Sequence, residues 1–244
     1  MITNSGSKTR VDEVAAGILR ISTPVADLPG GFSFNQYLVL DEQPLLFHTG
    51  PRRMFPLVRE AIASVMPVES LRWVAFSHVE ADECGALNEL LAAAPGARPL
   101  CGQIAAMVSV SDIADRPARA LGDGEAVSLG AKRVRWLDAP HLPHGWDCGY
   151  LLEETTGTLL CGDLFTQPGA EHPPVTGGDI LGPSEAMRKG MDYFAHSAAT
   201  GALLEKLAAT APRTLACMHG SAWEGDGARL LRELAEALSP GRPA

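Results

Sequence analysis

The sequence predicts a layered α/β fold (α+β by some schemes) built from two similar halves. Runs of apolar strands are followed by helices, and a second set of strands and helices comes after them. Polar residues able to bind a metal stand just beyond several of these strands, where ligands gather in layered α/β proteins. At 244 residues, the chain is long enough to bury a large core. We therefore expect a single domain over 1–244.

The first half of the chain begins with strands. Alternating or continuous apolar residues at 14–23 and 33–48, broken by the sequence PVADLPGG, predict antiparallel strands joined by turns. Residues 52–65 are expected to form a helix, because their apolar side chains recur at the spacing of one buried face. The other elements expected in this half are a strand at 71–76, a helix at 84–94, a strand at 98–101 and a short helix at 103–110.

The second half repeats this order of strands and helices. Its expected strands lie at 125–129, 132–138, 148–153, 158–161 and 214–218. A loop rich in proline and glycine at 167–183 leads to helices, which are expected at 184–195, 200–209 and 226–238. Whether this loop is a lid or a dimer contact is left open. The tail at 238–244 is expected to be frayed.

Composition and charge exclude several classes of function. The formal net charge is -9 and no run of lysine or arginine occurs, so we expect neither nucleic-acid binding nor attraction to an anionic membrane. The polar N-terminus does not resemble a signal peptide, and no apolar run approaches the ~18 residues of a membrane span. Five scattered cysteines without CxxC spacing favour free buried thiols over disulfides. These features predict a cytoplasmic protein.

One imidazole and three carboxylates follow the predicted strand at 71–76. They are His78, Glu80, Asp82 and Glu83, inside the segment SHVEADECG. So much negative charge at the end of a buried strand is expected to be balanced by a cation. Residues two apart in an extended segment point the same way. His78, Glu80 and Asp82 are therefore expected to converge on one centre.

Other predicted strands are followed by three more side chains that can bind metal, which are His144, Asp163 and His219. Together with His78, Glu80 and Asp82 they make three imidazoles and three carboxylates. Six ligands exceed what one tetrahedral site needs, but they suit two metals that share a carboxylate. Asp163 is the expected bridge, since a carboxylate offers two oxygens with several lone pairs. Acids at strand ends are often solvated caps, an alternative that three convergent imidazoles disfavour.

This series of residues resembles the metallo-β-lactamase-fold domain of flavodiiron proteins and of stand-alone oxygen-binding diiron proteins. The general superfamily motif reads His-x-His-x-Asp-His, and here Glu80 replaces the second histidine and Glu83 the last. The first replacement is typical of the diiron branch, whereas zinc hydrolases usually keep both imidazoles. The resemblance covers nearly the whole chain and implies a four-layer αββα metallo-β-lactamase sandwich.

The resemblance also implies a cofactor of two iron ions. One ion would be bound by His78, Glu80 and His144, the other by Asp82 and His219, and both by Asp163. Oxygen-rich, anionic ligands stabilise a ferric ion more than Zn²⁺, although zinc or manganese stays open as the native metal.

Three further residues have roles that the sequence leaves open. Glu83 stands where many relatives have histidine, so it either binds the second metal or does not contact it. His48 lies at the end of an early strand where many superfamily members have aspartate. We expect it to hydrogen-bond near a metal ligand, with a plain core histidine as the alternative. His141 either lines the pocket or is an ordinary loop histidine.

The leading functional hypothesis is a non-haem diiron protein that binds or reduces O₂ or NO. A flavodoxin domain would follow the final histidine in a flavodiiron protein, but the chain ends 25 residues beyond His219. We therefore expect no FMN in this chain and electrons from an external partner, either a rubredoxin-like protein or a flavoprotein. A homodimer is expected from the resemblance alone.

Alternative functions use the same residues. An oxidoreductase is favoured, but a sensor without turnover is equally open. The second hypothesis is a dinuclear metallohydrolase in which a metal-bridging hydroxide attacks an ester, thioester, lactone or phosphodiester. A third is a scaffold that the metal only stabilises, which the complete ligand set disfavours.

Overall fold

The computed structural model describes residues 1–239, so the predicted fraying of 240–244 lies outside the described residues. Within 1–239 the strands form two sheets, one of eight and one of seven strands. The first contains, in spatial order, β1 (Ile2–Asn4), β2 (Thr9–Ala15), β3 (Ile18–Val25), β4 (Phe32–Val39), β5 (Leu45–Phe47), β6 (Trp73–Ala75), β7 (Arg98–Gly102) and β8 (Arg119–Leu121). Pairing is antiparallel from β1 to β5 and parallel from β5 to β8.

The second sheet is made by the later strands. They are β9 (Ala126–Ser128), β10 (Arg133–Asp138), β11 (Gly149–Glu153), β12 (Thr158–Leu160), β13 (Val175–Thr176), β14 (Thr214–Ala216) and β15 (Ala222–Glu224). Their spatial order is β13-β15-β14-β12-β11-β10-β9. The neighbours β12 and β14 run parallel, so their carboxyl ends lie at the same edge.

Helices follow the strands along the chain. They are α1 (Phe55–Ala63), α2 (Ala81–Cys84), α3 (Leu87–Ala93), α4 (Gln103–Ala105), α5 (Ser111–Ile113), α6 (Leu181–Met191), α7 (Thr200–Ala208) and α8 (Gly227–Ala237). A π-helical segment, Ala106–Val110, joins α4 to α5, and short 3₁₀ turns occupy Arg52–Met54 and Val68–Ser70. None of the helices among residues 1–239 is both long and apolar enough to cross a membrane.

The two sheets face each other and bury a common core between them. Side chains of both sheets meet there, including Phe47 from the first and Trp136 from the second. A separate core fills the space between the first sheet and helices α1 and α3, and another lies between the second sheet and helices α7 and α8. This arrangement confirms the predicted four-layer αββα sandwich.

Burial on both faces explains the continuous apolar runs in the sequence. In β4, Leu38 packs in the core on the helix side, whereas its neighbours Tyr37 and Val39 pack between the sheets. In β5, Leu46 and Phe47 divide in the same way. Both faces are therefore apolar at residues 37–39 and 45–47.

The N-terminal strands differ from the prediction. The structure has a β2–β3 hairpin whose turn falls inside the predicted strand at 14–23. Gly17 sits in this turn with φ +70°, a conformation that glycine adopts without the steric cost of a side chain. Strand β1 was not predicted, because Ile2 is exposed at the edge of the sheet and no buried face marks the segment.

Three other short strands, β8, β13 and β15, were also not predicted. They contain only two or three residues each, too few to show a periodicity. β8 and β13 also pair with strands that are distant in sequence, whereas β15 pairs with the nearby β14. The predicted loop at 167–183 therefore contains β13 and the first turn of α6, which begins at Leu181 rather than at 184.

The helix predicted at 84–94 corresponds to α3, which begins at Leu87, whereas α2 ends at Cys84 and a break at Gly85 and Ala86 separates the two. The backbone N–H of Ala86 donates to the hydroxyl of Thr49 at 3.0 Å and leaves the helical hydrogen-bond pattern. Thr49 also donates its own N–H to the carbonyl of Glu83 at 2.8 Å. These two bonds tie the acidic segment to the end of β5.

All five cysteines are buried and free, as predicted from their spacing. Cys84 follows the acidic cluster directly, and its Sγ donates to the carbonyl of Glu80 at 3.3 Å. Burial raises the pKa of the Cys84 thiol to about 11. It is therefore a neutral thiol at physiological pH and not an activated nucleophile.

Trp136 requires glycine on the neighbouring strand. A Cβ added to Gly149 would lie 2.2 Å from the Cζ2 atom of the buried Trp136 ring and 2.9 Å from the carbonyl oxygen of Leu137. We expect Gly149→Ala to lower the free energy of unfolding by about 1–3 kcal/mol through overpacking. Chemical denaturation measures this change. Gly190→Ala is the control, since its added Cβ meets no atom within 4 Å, and an equal loss in both variants would contradict the account.

Candidate metal centre

Strand ends position the candidate ligands. Asp163 and His219 each lie three residues beyond the parallel neighbours β12 and β14, so both reach the same sheet edge. His78 follows β6 of the other sheet, and His144 lies in the loop between β10 and β11. Both sheets therefore contribute to one site at the edge of the sandwich.

Two imidazoles and a carboxylate form the tightest group. The Nε2 atoms of His78 and His144 lie 3.0 Å apart, and Glu80 Oε2 lies 3.1 Å from the first and 2.9 Å from the second. Ligand atoms about 2.1 Å from an ion lie roughly 3.0–3.5 Å from one another. The spacing of these three atoms therefore fits a single metal ion between them.

The two oxygens of Asp163 face different groups. Its Oδ2 lies 3.8 Å from Nε2 of His78 and 3.6 Å from Nε2 of His144. Its Oδ1 lies 3.3 Å from Nε2 of His219, which is also 3.5 Å from Asp82 Oδ2. Asp163 thus stands between two sets of ligand atoms, in the position of a carboxylate that bridges two ions.

The other ring nitrogen of each histidine is held by an oxygen. Nδ1 of His144 lies 3.0 Å from the carbonyl of Tyr193, and Nδ1 of His219 lies 2.8 Å from the carbonyl of Ser33. Nδ1 of His78 lies 3.0 Å from the hydroxyl of Ser77. A carbonyl accepts only, so the first two rings donate from Nδ1 and direct Nε2 to the centre.

His48 extends this network by one residue. Its Nε2 lies 3.0 Å from the Ser77 hydroxyl and accepts the Ser77 N–H at 3.3 Å. Burial lowers the pKa of His48 to about 3, so its Nε2 keeps the lone pair that accepts these bonds. The Ser77 hydroxyl can then accept from Nδ1 of His78. His48 is therefore linked through Ser77 to the candidate ligand His78.

The predicted extended alternation holds for only part of the acidic segment. Glu80 is extended, with φ -144° and ψ 165°, but helix α2 begins at Ala81. The Asp82 side chain consequently does not point in the same direction as that of His78. Its Oδ2 faces Nε2 of His219 instead. Carboxylate oxygens of Glu80, Asp82 and Glu83 still lie within 4.8 Å of one another.

The remaining two candidates differ sharply in their positions. The Glu83 side chain is 1% exposed and its Oε1 lies 3.9 Å from Nε2 of His78, so the structure brings it to the centre. His141 has an exposed side chain and does not line the cavity beside the ligands. Of the two alternatives that the sequence leaves open for His141, its exposed position and its φ of +64° favour the ordinary loop histidine.

Charges in the centre shift the titration of its residues. Burial alone would raise the pKa of Asp163 and lower that of His219, but their hydrogen bond and opposite charges outweigh it. The pKa of Asp163 falls to about 2 and that of His219 rises to about 9. Hydrogen bonds from His144 and His78 lower the pKa of Glu80. Without a metal, the proton on His219 thus offsets part of the negative charge of Asp163 and Asp82.

Metal binding is therefore expected to release protons. His219 has a pKa of about 9 in the metal-free protein, so at neutral pH a metal that binds Nε2 must displace its proton. Because His219 must lose its proton, we expect the affinity for the metal ion to rise about tenfold per pH unit as the pH approaches 9, and to level off above that pH. Calorimetric titration in buffers with different ionisation enthalpies counts the protons. Zero release at neutral pH would contradict this assignment.

A small cavity opens beside the ligand atoms. Its volume is about 160 Å³, and its apolar walls are formed by Phe32, Met187 and Met191. Phe32 stacks on the His219 ring with a centroid distance of 4.2 Å. A larger groove of about 540 Å³ adjoins this cavity and shares Phe32, Asp82 and the two methionines with it. The centre is thus reached through an apolar entrance.

Several residues that shape the site were not found from the sequence. Ser33 and Tyr193 act through backbone carbonyls, which no residue type reveals. Asn35 donates from Nδ2 to the carbonyls of Cys217 and Gly220, on either side of His219. Asp147 accepts the N–H of Val79 at 3.0 Å and holds the turn between His78 and Glu80. Unlike the others, Asp147 is a residue that the sequence itself offers, either to orient a ligand or to cap the turn.

Comparisons with known proteins agree with this architecture. A family model described as ODP family beta lactamase matches residues 32–220. Rubredoxin-oxygen oxidoreductase of Megalodesulfovibrio gigas is 29% identical over 143 residues, which are 57% of this chain and 35% of that protein. Anaerobic nitric oxide reductase flavorubredoxin of Aliivibrio salmonicida is 23% identical over 216 residues, 84% of this chain and 43% of that protein. The chain thus spans less than half the length of these relatives.

A solved structure has the same fold. The flavodiiron core of Flv1 from Synechocystis sp. PCC6803 superposes with a TM-score of 0.78 at 19% identity. The match covers 94% of this chain and 60% of that one. At this level of identity the likeness establishes the fold alone.

Proposed function

The chain belongs to the family described as ODP family beta lactamase, and we propose that it is a non-haem diiron protein that binds or reduces O₂ or NO. The observation that carries the proposal is the position of Asp163. One of its oxygens faces His78 and His144, and the other faces His219. This is the arrangement that two metal ions with a shared carboxylate require.

The donor atoms fit iron. Imidazole nitrogens suit iron, copper and zinc, whereas carboxylates favour harder ions and higher charge. Here three imidazoles meet the carboxylates of Glu80, Asp82 and Asp163. When bound, two ferrous ions supply the electrons and the open coordination positions that a diatomic ligand needs. The proposed ligand sets are His78, Glu80 and His144 for one ion, and Asp82 and His219 for the other, with Asp163 common to both.

The remaining residues of the pocket orient the three imidazole rings and favour a small apolar ligand. The carbonyls of Tyr193 and Ser33 and the hydroxyl of Ser77 fix the three rings, so little reorganisation accompanies ligand binding. Phe32, Met187 and Met191 give the cavity apolar walls. A volume of about 160 Å³ beside the ligand atoms suits a diatomic molecule better than a large ester or phosphodiester.

We propose that electrons come from an external donor. The relatives carry the names rubredoxin-oxygen oxidoreductase and flavorubredoxin, and this chain matches less than half of each. A rubredoxin-like protein or a flavoprotein is the partner that this comparison favours. Homodimerisation and a cytoplasmic location stay predictions.

Gas consumption tests the proposal. The iron-loaded protein is reduced under anaerobic conditions, freed of excess reductant and mixed with O₂ or NO at an electrode. We expect consumption in proportion to the protein and its loss in His144→Ala, which lacks one imidazole of the tight group. Hydrolysis of a model ester or thioester without gas consumption would contradict the proposal and favour the metallohydrolase instead.

A further inference from the structure

Glu83 is a buried carboxylate without a hydrogen-bond donor. Both of its oxygens are inaccessible to water and contact no donor, and its side chain is only 1% exposed. The nearest imidazole nitrogen, Nε2 of His78, is 3.9 Å from Oε1. An ionised carboxylate taken out of water costs several kcal/mol, and the side chain with which it shares a hydrogen bond, Asp82, is another acid, so a cation would stabilise both.

Its surroundings make the charge still less favourable. One of its carboxylate oxygens lies within 4.8 Å of carboxylate oxygens of Glu80 and Asp82. Its backbone is fixed by the bond from Thr49, so the side chain does not turn away with the backbone. A cation at the centre would balance these three neighbouring carboxylates.

We propose that Glu83 is a ligand of the second metal position and makes that position rich in carboxylate. This inference rests on the proposed function. The second ion would be held by Asp82, Glu83, Asp163 and His219, which offer three carboxylates and one imidazole. The first would be held by His78, His144, Glu80 and Asp163, with two imidazoles and two carboxylates.

The unequal donors predict unequal metal preference. Four carboxylates in the centre balance the charge of two divalent ions, without need of a further anion. Carboxylate oxygens favour harder ions such as Mn²⁺ and iron, whereas each imidazole moves the preference towards zinc. Glu83 therefore lowers the preference of the second position for zinc, relative to a chain with histidine there.

Manganese titration tests this inference without any measurement of activity. Mn²⁺ is added to the metal-free protein and the free ion is counted by its electron paramagnetic resonance signal. We expect the wild type to bind two ions, and Glu83→Gln to bind the second at least about 100-fold more weakly, since loss even of an outer partner costs 10–100-fold. Glu69→Gln, on an exposed residue, is the control and should match the wild type.

Competition between metals provides the second readout. Glu83→His keeps a ligand atom, so this variant tests the inference even if Glu83→Gln does not fold. In dialysis against equal Zn²⁺ and Mn²⁺, we expect its bound zinc-to-manganese ratio to exceed the wild-type ratio by about tenfold. An unchanged ratio, or two ions bound by Glu83→Gln at wild-type affinity, would overturn the role of Glu83. Failure of the wild type to bind two ions would overturn the proposed function itself.

Discussion

Replacement of Asp163 by asparagine is expected to reduce metal content from two ions per chain to one or none, and gas consumption by at least about 100-fold. Asparagine has nearly the same shape but offers one neutral oxygen instead of two charged ones. The contact that Oδ1 makes with His219 and the contacts that Oδ2 makes with His78 and His144 cannot both be kept. Metal analysis after removal of loosely bound ions measures the change.

A matched control separates this loss from a general effect of charge. Asp112 is exposed, and Asp112→Asn should keep both ions and full gas consumption. If Asp163→Asn also kept two tightly bound ions, the carboxylate would not bridge them. The assignment of the shared ligand would then be wrong.

Replacement of Asn35 by alanine is expected to lower the free energy of unfolding by about 2–4 kcal/mol. Asn35 is fully buried in β4 and its Nδ2 donates to the carbonyls of Cys217 and Gly220, at 3.0 and 2.8 Å. Of the two buried acceptors, the Gly220 carbonyl would lose its side-chain donor, whereas the Cys217 carbonyl would keep the bond from the Tyr37 hydroxyl at 2.7 Å. Since the two carbonyls flank His219, we also expect weaker binding of the second metal. Chemical denaturation and metal titration measure the two effects.

Asn88 is the control for Asn35. It also makes two hydrogen bonds, from Nδ2 to the carbonyl of Ile113 and from the N–H of Asp115 to Oδ1, but at the surface. Water can replace these bonds, so Asn88→Ala should lose less than about 1 kcal/mol. A loss in Asn35→Ala no larger than that in Asn88→Ala would contradict the account that burial makes the Asn35 hydrogen bonds strongly stabilising.

The layers and the location of the centre could be predicted from the sequence. Apolar strands bounded by turns marked most of both sheets, and each candidate ligand lay just past such a strand. His78, His144, Asp163 and His219 indeed come together. This success has a physical reason, since strand ends at one sheet edge are close in space whatever the intervening chain does.

The parts that escaped prediction depend on contacts between distant segments. The edge strand β8 pairs with β7 through the backbone, so side-chain periodicity does not mark it. The break between α2 and α3 results from the hydroxyl of Thr49, which is distant in sequence. The orientation of His144 is fixed by the Tyr193 carbonyl. No pattern in the amino-acid sequence encodes these partners.

Glu83 illustrates what the structure adds. In the sequence it is an acidic residue at a position where histidine is usual. The sequence gives no basis for deciding whether it binds the second metal or does not contact it. The structure gives it buried oxygens without donors beside three other carboxylates. That geometry turns an open question into a proposal with a measurable consequence for metal preference.

The most direct test of the central claim is metal analysis of protein produced in iron-supplemented medium, with visible spectra of the reduced protein before and after exposure to air. The proposed function predicts two irons per chain and absorption that changes when O₂ is admitted. Stoichiometric zinc under iron-replete growth, together with ester hydrolysis and a spectrum that does not respond to oxygen, would contradict it.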